Sequence, residues 1–169
     1  IHDGTIRFET ISVDINGSYT NTNDKYIDIK FDASANDLAF LSKLIKEDVL
    51  LQNSALIKKA DIILKGQLKG KMEDNIPKID VIFSVSDLSL IIPKSKGEFS
   101  NLGFEGELHT GEADDLSEGE LVVRNLRGEL PGGLMSGNFS VNNFKNPNLK
   151  SNMNLDVDLD GLDDILNLP

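Results

Sequence analysis

Cysteine and tryptophan are both missing from this chain, and their absence removes whole classes of function. Without cysteine there can be no disulfide, no thiolate metal site and no cysteine nucleophile, while the compartment stays open because envelope and cytosolic proteins alike can do without it. Aromatic residues make up only 6% of the chain, which removes the usual anchors for stacking on bases or sugars. Histidine is nearly as scarce: His2 stands at the start and His109 beside Thr110-Gly111, so no histidine pair has metal-ligand or triad spacing. Basic charge is also in short supply, with 17 Lys and Arg against 28 Asp and Glu. The resulting net charge of −11 repels phosphate backbones and excludes nucleic acid as a natural partner. No apolar run approaches the roughly 20 residues a membrane-spanning helix needs. The opening Ile1-His2-Asp3-Gly4 carries neither an initiator Met, a basic region nor an apolar signal core. The expectation is therefore an excised piece of a larger protein whose targeting segment lies elsewhere.

What is present is enough for one domain. A chain of 169 residues can bury roughly 70% of the surface its unfolded form exposes. Its 39% hydrophobic and 27% charged content is globular. Apolar and polar residues alternate with period two along most of the sequence, the pattern of half-buried strands. From Ile6 to Ile15 the apolar set moves from even positions (Ile6, Phe8) to odd ones (Ile11, Val13, Ile15), and a bulge near Thr10 would accommodate the slip. Asn16-Gly17-Ser18 and the polar stretch Thr20 to Lys25 read as turn and loop before Ile27, Ile29, Phe31 and Ala33 resume the alternation.

The period changes at Asn36, a fair N-cap. Leu38, Phe40, Leu41, Leu44 and Ile45 then share one stripe of a 3.6-residue helix, predicting a short amphipathic helix over Asp37 to Glu47. Its weakly basic polar face suits a helix covering a sheet better than one lying on a membrane. Val49 to Lys59 fits a second short helix or an irregular connection equally well. Ile62, Leu64, Gly66 and Leu68, a polar turn from Gly70 to Asn75, and Ile79, Val81, Phe83 and Val85 make a second hairpin. Further strands are predicted at Leu88 to Ile92, Phe99 to Leu108, Gly119 to Leu126, Leu134 to Phe144 and Leu149 to Leu159. Short turns without regular helices between them favour antiparallel neighbours. The predicted fold is mainly β: a single domain over 1–169, built as a curved antiparallel meander with one or two short amphipathic helices. Such a sheet has one apolar and one wet face, and what covers the apolar one is the open question.

No constellation of reactive groups stands out. There is no Gly-x-Ser-x-Gly elbow, phosphate loop or dinucleotide fingerprint, so neither an enzyme nor a cofactor is expected. Glycines at 66, 70, 103, 106, 128, 132, 133 and 137 fit strands, strand ends and turns that need positive φ or close backbone approach. Asp156-Val157-Asp158-Leu159-Asp160-Gly161 reproduces the first half of an EF-hand calcium loop, but Asn167 stands where the closing bidentate acid belongs, and the residues before it alternate as a strand. The solvated face of that strand explains the same three Asp, and no metal site is assigned. Glu112, Asp114, Asp115 and Glu118 read as a solvated acidic loop. The sequons at Asn16 and Asn138 carry no weight.

The stretch Asn125 to Leu168 resembles the AsmA-like family. The likeness rests on the LPGG turn (Leu130 to Gly133), the SGNFSVNNFKNP run (Ser136 to Pro147), and an alternating strand ending in a DLDGL-type turn into a short apolar helix. Asn16-Gly17-Ser18 before a strand, the Asn36-Asp37-Leu38 entry, and the stretch from Ile92-Pro93-Lys94 to Gly106 are similar to that family as well. The resemblance implies a periplasm-facing envelope protein, anchored to a membrane by a helix outside these residues. It further implies a role in outer-membrane biogenesis or lipid transport between membranes, with lipid or envelope proteins as partners. Larger relatives form a curved β-sheet trough with an apolar inside. On this reading the face that meets lipid comprises Ile79, Val81, Phe83, Val85, Met153, Leu155, Val157 and Leu159, although the same side chains could form an ordinary core between two layers. The alternative is a structural or adhesive β-domain for protein contacts, with calcium near Asp156 to Asp160.

Overall fold

The computed structural model describes residues 3–21, 25–36, 56–72, 77–91, 97–112 and 115–158. These form nine strands in one antiparallel sheet whose spatial order is the order in sequence. The strands are β1 (Asp3–Phe8), β2 (Ile11–Asn21), β3 (Lys25–Ala35), β4 (Leu56–Lys71), β5 (Lys78–Ile91), β6 (Glu98–His109), β7 (Glu120–Leu130), β8 (Gly133–Asn142) and β9 (Asn148–Val157). Mainly β, antiparallel and meandering is thus the observed architecture. Each strand packs extensively only against its sheet neighbours. Among the described residues there is no second layer and no helix. The amphipathic helix expected at Asp37 to Glu47 lies outside the described residues, as does most of Val49 to Lys59, whose last residues open β4.

Several expectations need correction. The parity slip near Thr10 is a hairpin rather than a bulge: Phe8 pairs with Ile11 across the two-residue connection Glu9-Thr10, with Glu9 at φ +49°. Such tight connections take positive φ because that matches the twist of the flanking strands. Asn16-Gly17-Ser18 makes no turn either. It lies within β2, where Gly17 pairs with Ile29, and the strand continues to Asn21. The predicted strand at Leu88 to Ile92 continues β5, joined through an irregularity between Val85 and Leu88.

That irregularity belongs to a set. Asp87 on β5, Asn101 on β6 and Asn125 on β7 each take positive φ, near +50°, where the pairing registers shift. A bulge adds a residue to one strand and bends it locally. Asp and Asn are the non-glycine residues best suited to the left-handed region. Each also ties its side chain to a neighbouring strand: Asp87 to Lys59 at 3.0 Å, Asn101 to Glu129 at 2.9 Å and Asn125 to Glu105 at 2.6 Å.

The connections use residues suited to them. Between β7 and β8, Leu130 pairs with Gly133 around Pro131-Gly132, with Gly132 at φ +74°. Proline supplies the first corner and glycine the left-handed second. The β6–β7 and β8–β9 loops interlock: the Leu116 carbonyl accepts from the amides of Gly119 and Phe144, the Gly119 carbonyl accepts from Asn143, and Lys145 pairs with Asp115. The Lys145 ammonium and the Ser117 groups hold the Asp115 carboxyl well below the usual carboxylate range.

Candidate functional site

Partners directly across an antiparallel pair project to the same side of a sheet, so the registers determine which side chains share a face. One row starts at Ile6 on β1 and crosses Val13, Ala33, Leu64 and Phe83. It continues through Gly106, Val123 and Phe139 to Ser151 on β9. Neighbouring rows on that side contain Ile15, Phe31, Gly66, Val81 and Leu108, or Ile11, Ala35, Ile62, Val85 and Phe104. Most apolar positions of every strand thus gather on one side of one sheet. The bulges preserve this: after each extra residue the hydrophobic set shifts parity, from Val85 to Leu88, Leu102 to Phe99 and Val123 to Leu126.

Of the residues expected to form the apolar face, Ile79, Val81, Phe83 and Val85 lie together on β5, and Met153, Leu155 and Val157 on the same side of β9. Leu159 lies outside the described residues. The two groups are separated by the width of β6 to β8 rather than adjacent, so the face is wider than that set. Leu102, Phe104, Leu108, Val123, Leu126 and Phe139 fill the interval. Sequence alternation marked these strands, but strand pairing was needed to join them.

Burial on this face follows position in the sheet. Val85, Leu102, Val123 and Leu130 on the inner strands are buried, whereas Ile6, Phe8, Leu149 and Leu155 on β1 and β9 are 54–64% exposed. Inner side chains are flanked on both sides, edge side chains on one. Two glycines let rings lie down on the surface. Phe31 covers Gly66 and Phe83 covers Gly106, each across the strand pair. Phe83 also meets Phe104 edge-on at 6.2 Å, a favoured aromatic geometry.

The opposite face is polar and cross-linked between strands. Thr5 donates to Asp14 at 2.6 Å, Gln67 to Asp28 at 2.6 Å, and Lys65 pairs with Asp32 at 2.7 Å. Arg124 bonds Glu107, which holds the carboxyl below its ordinary range and the guanidinium above its own. Glu112, with Asp80, raises the Lys78 ammonium. Ile63, Ile82 and Leu134 interrupt this face as exposed apolar residues. A depression of about 550 Å³ on it is lined largely by Ser84, Glu105, Asn125, Arg127, Ser136 and Asn138.

His109 sits on this polar side, its Nδ1 2.8 Å from Asp80 Oδ1 and its Nε2 3.9 Å from Glu107. Among the described residues its ring makes no hydrogen bond to a hydroxyl, the contact a serine nucleophile would require. Asp156 is an exposed residue of β9 opposite Leu134, while Asp160 lies outside the described residues. Among the described residues no group of three or more His, Asp or Glu is arranged to hold a metal ion. Comparison of the chain with family models, with curated proteins and with solved structures finds no match.

Proposed function

We propose that this chain is a non-enzymatic, periplasm-facing segment of an AsmA-like envelope protein, and that its apolar sheet face shields lipid acyl chains in outer-membrane biogenesis or lipid transport. The observation that carries this reading is the collection of apolar side chains from every strand onto one side of a single sheet, with no described strand stacked over it. Water leaves such a surface favourably when hydrocarbon covers it. A fully buried methylene gains about 0.8 kcal/mol, so even one-sided contact accumulates along an acyl chain. Binding of this kind is spread over many residues and needs no converging polar group. The bulges at Asp87, Asn101 and Asn125 support a bent sheet, and the motifs of Asn125 to Leu168 supply the likeness to envelope proteins.

Native mass spectrometry of protein purified from bacterial cells tests the proposal. Phospholipid adducts are expected on the wild type and on a polar-face control, Ser84→Lys. They should be lost when charges enter the apolar face through Val81→Lys with Leu155→Lys. Protein that is consistently empty, or adducts indifferent to those charges, would overturn it.

A further inference from the structure

Among the described residues the sheet ends at β9, and that edge has the properties of a self-pairing surface. β9 is ten residues long, has no proline and pairs with β8 without a register shift. Sheet edges of soluble proteins are usually blunted by proline, bulges, short length or charge; β9 has none of the first three, and its two charged residues, Lys150 and Asp156, are of opposite sign. The Asp158 amide donates to the Gly132 carbonyl on the β8 side. By the alternation of an antiparallel ladder, the amides and carbonyls of Leu149, Ser151, Met153, Leu155 and Val157 then point outward, away from β8. The same odd-numbered residues carry the apolar face, and Leu149 and Leu155 are 64% and 54% exposed.

We infer that β9 pairs antiparallel with β9 of a second copy of this chain, about a two-fold axis through Met153. An axis normal to the sheet keeps the apolar faces of both copies on one side. It places Met153 opposite its counterpart, Ser151 opposite Leu155, and Leu149 opposite Val157, all through outward-directed backbone groups. The same register sets Lys150 opposite Asp156 and Asn152 opposite Asn154 on the polar side. Lys150 and Asp156 form no ion pair within the chain among the described residues. The dimer gives each a partner twice over, because a two-fold interface repeats every contact. A shift of two residues one way sets Lys150 opposite Asn154; the other way sets it opposite Asp158, which already has a partner, and leaves Asp156 opposite Asn152, so only the register through Met153 serves Lys150 and Asp156 together. β1 at the other edge is less suited, being six residues long with Asp3 already bonded to Asn16. The inference is independent of the lipid-handling reading, since it concerns the rim of the sheet rather than the occupant of its face.

The absence of cysteine makes the register directly testable. Hydrogen-bonded antiparallel partners have Cα atoms about 5.5 Å apart, within disulfide reach. Under mild oxidation Met153→Cys should therefore give a covalent dimer, whereas Ser151→Cys, facing Leu155 instead of its own counterpart, should not. Sedimentation equilibrium should show a concentration-dependent dimer. Its dissociation constant should rise about tenfold with Lys150→Asp and return toward the wild-type value when Asp156→Lys is added. A strictly monomeric chain, equal cross-linking at both positions, or no rescue by the charge swap would overturn the proposal.

Discussion

Phe83 lies across Gly106, its partner on the adjacent strand, so closely that a Cβ placed on Gly106 would come within 2.6 Å of the ring. The ring occupies the space a side chain would have taken, and its edge then meets Phe104. The same Cβ would lie closer still to the Val122 carbonyl oxygen, so Gly106→Ala should displace both Phe83 and the β6–β7 backbone and destabilise the sheet by about 1–3 kcal/mol. Gly4→Ala provides the contrast, because a Cβ there meets nothing within 4 Å. Urea unfolding monitored by circular dichroism checks both, with the midpoint falling for Gly106→Ala only.

Position on the apolar face should matter more than residue type. Val123 is 4% exposed at the middle of the sheet, and Leu149 is 64% exposed at its rim. Truncation of Val123 to Ala is expected to cost about 1–3 kcal/mol. Leu149→Ala, although it removes more carbon, should stay within about 0.5 kcal/mol in dilute solution. Equal shifts in the two denaturation midpoints would contradict the burial gradient.

Asn125 combines a φ of +54° with a 2.6 Å hydrogen bond from Nδ2 to Glu105. Asn125→Ala removes the bond and places a residue ill-suited to the left-handed region, for a loss of about 1–2 kcal/mol. Asn125→Gly removes the bond but relaxes the backbone. Its thermal midpoint should fall between those of wild type and Ala, an order that an ordinary extended site would reverse.

The Asp115–Lys145 pair joins two loops at one end of the sheet. Its carboxyl is held below the ordinary value of 3.8, so the folded state favours the charged form. The contribution is fully present above the unfolded-state value and is lost as pH falls through the depressed folded-state value. Asp115→Asn should lower the urea midpoint near neutral pH, and its difference from wild type should narrow as pH is taken below about 4. A difference that grows on acidification would contradict this assignment.

The strands were largely legible in the sequence because the solvent imposes period two on any sheet with one wet face. The joints were less so. Phe8 to Ile11 and Val85 to Leu88 both step by three between consecutive apolar positions, yet the first reverses the chain and the second only kinks it. The parity signal is the same in both cases, and only strand pairing separates a tight hairpin from a bulge. Asn16-Gly17-Ser18 misled for a related reason: its composition favours a turn, but pairing of Gly17 with Ile29 carries it straight through β2. The apolar face was legible strand by strand, as at Ile79 to Val85 and Met153 to Val157. Its continuity across β6 to β8 is a product of register, which no single segment encodes.

Because every strand neighbours the one before it in the chain, this sheet can grow or shrink by whole hairpins without any thread crossing another. Duplicating one hairpin in the gene would lengthen the surface by two strands while leaving existing pairings in place. Stability in such an array accumulates from contacts between adjacent units, so its width is set by how many times the chain turns back on itself.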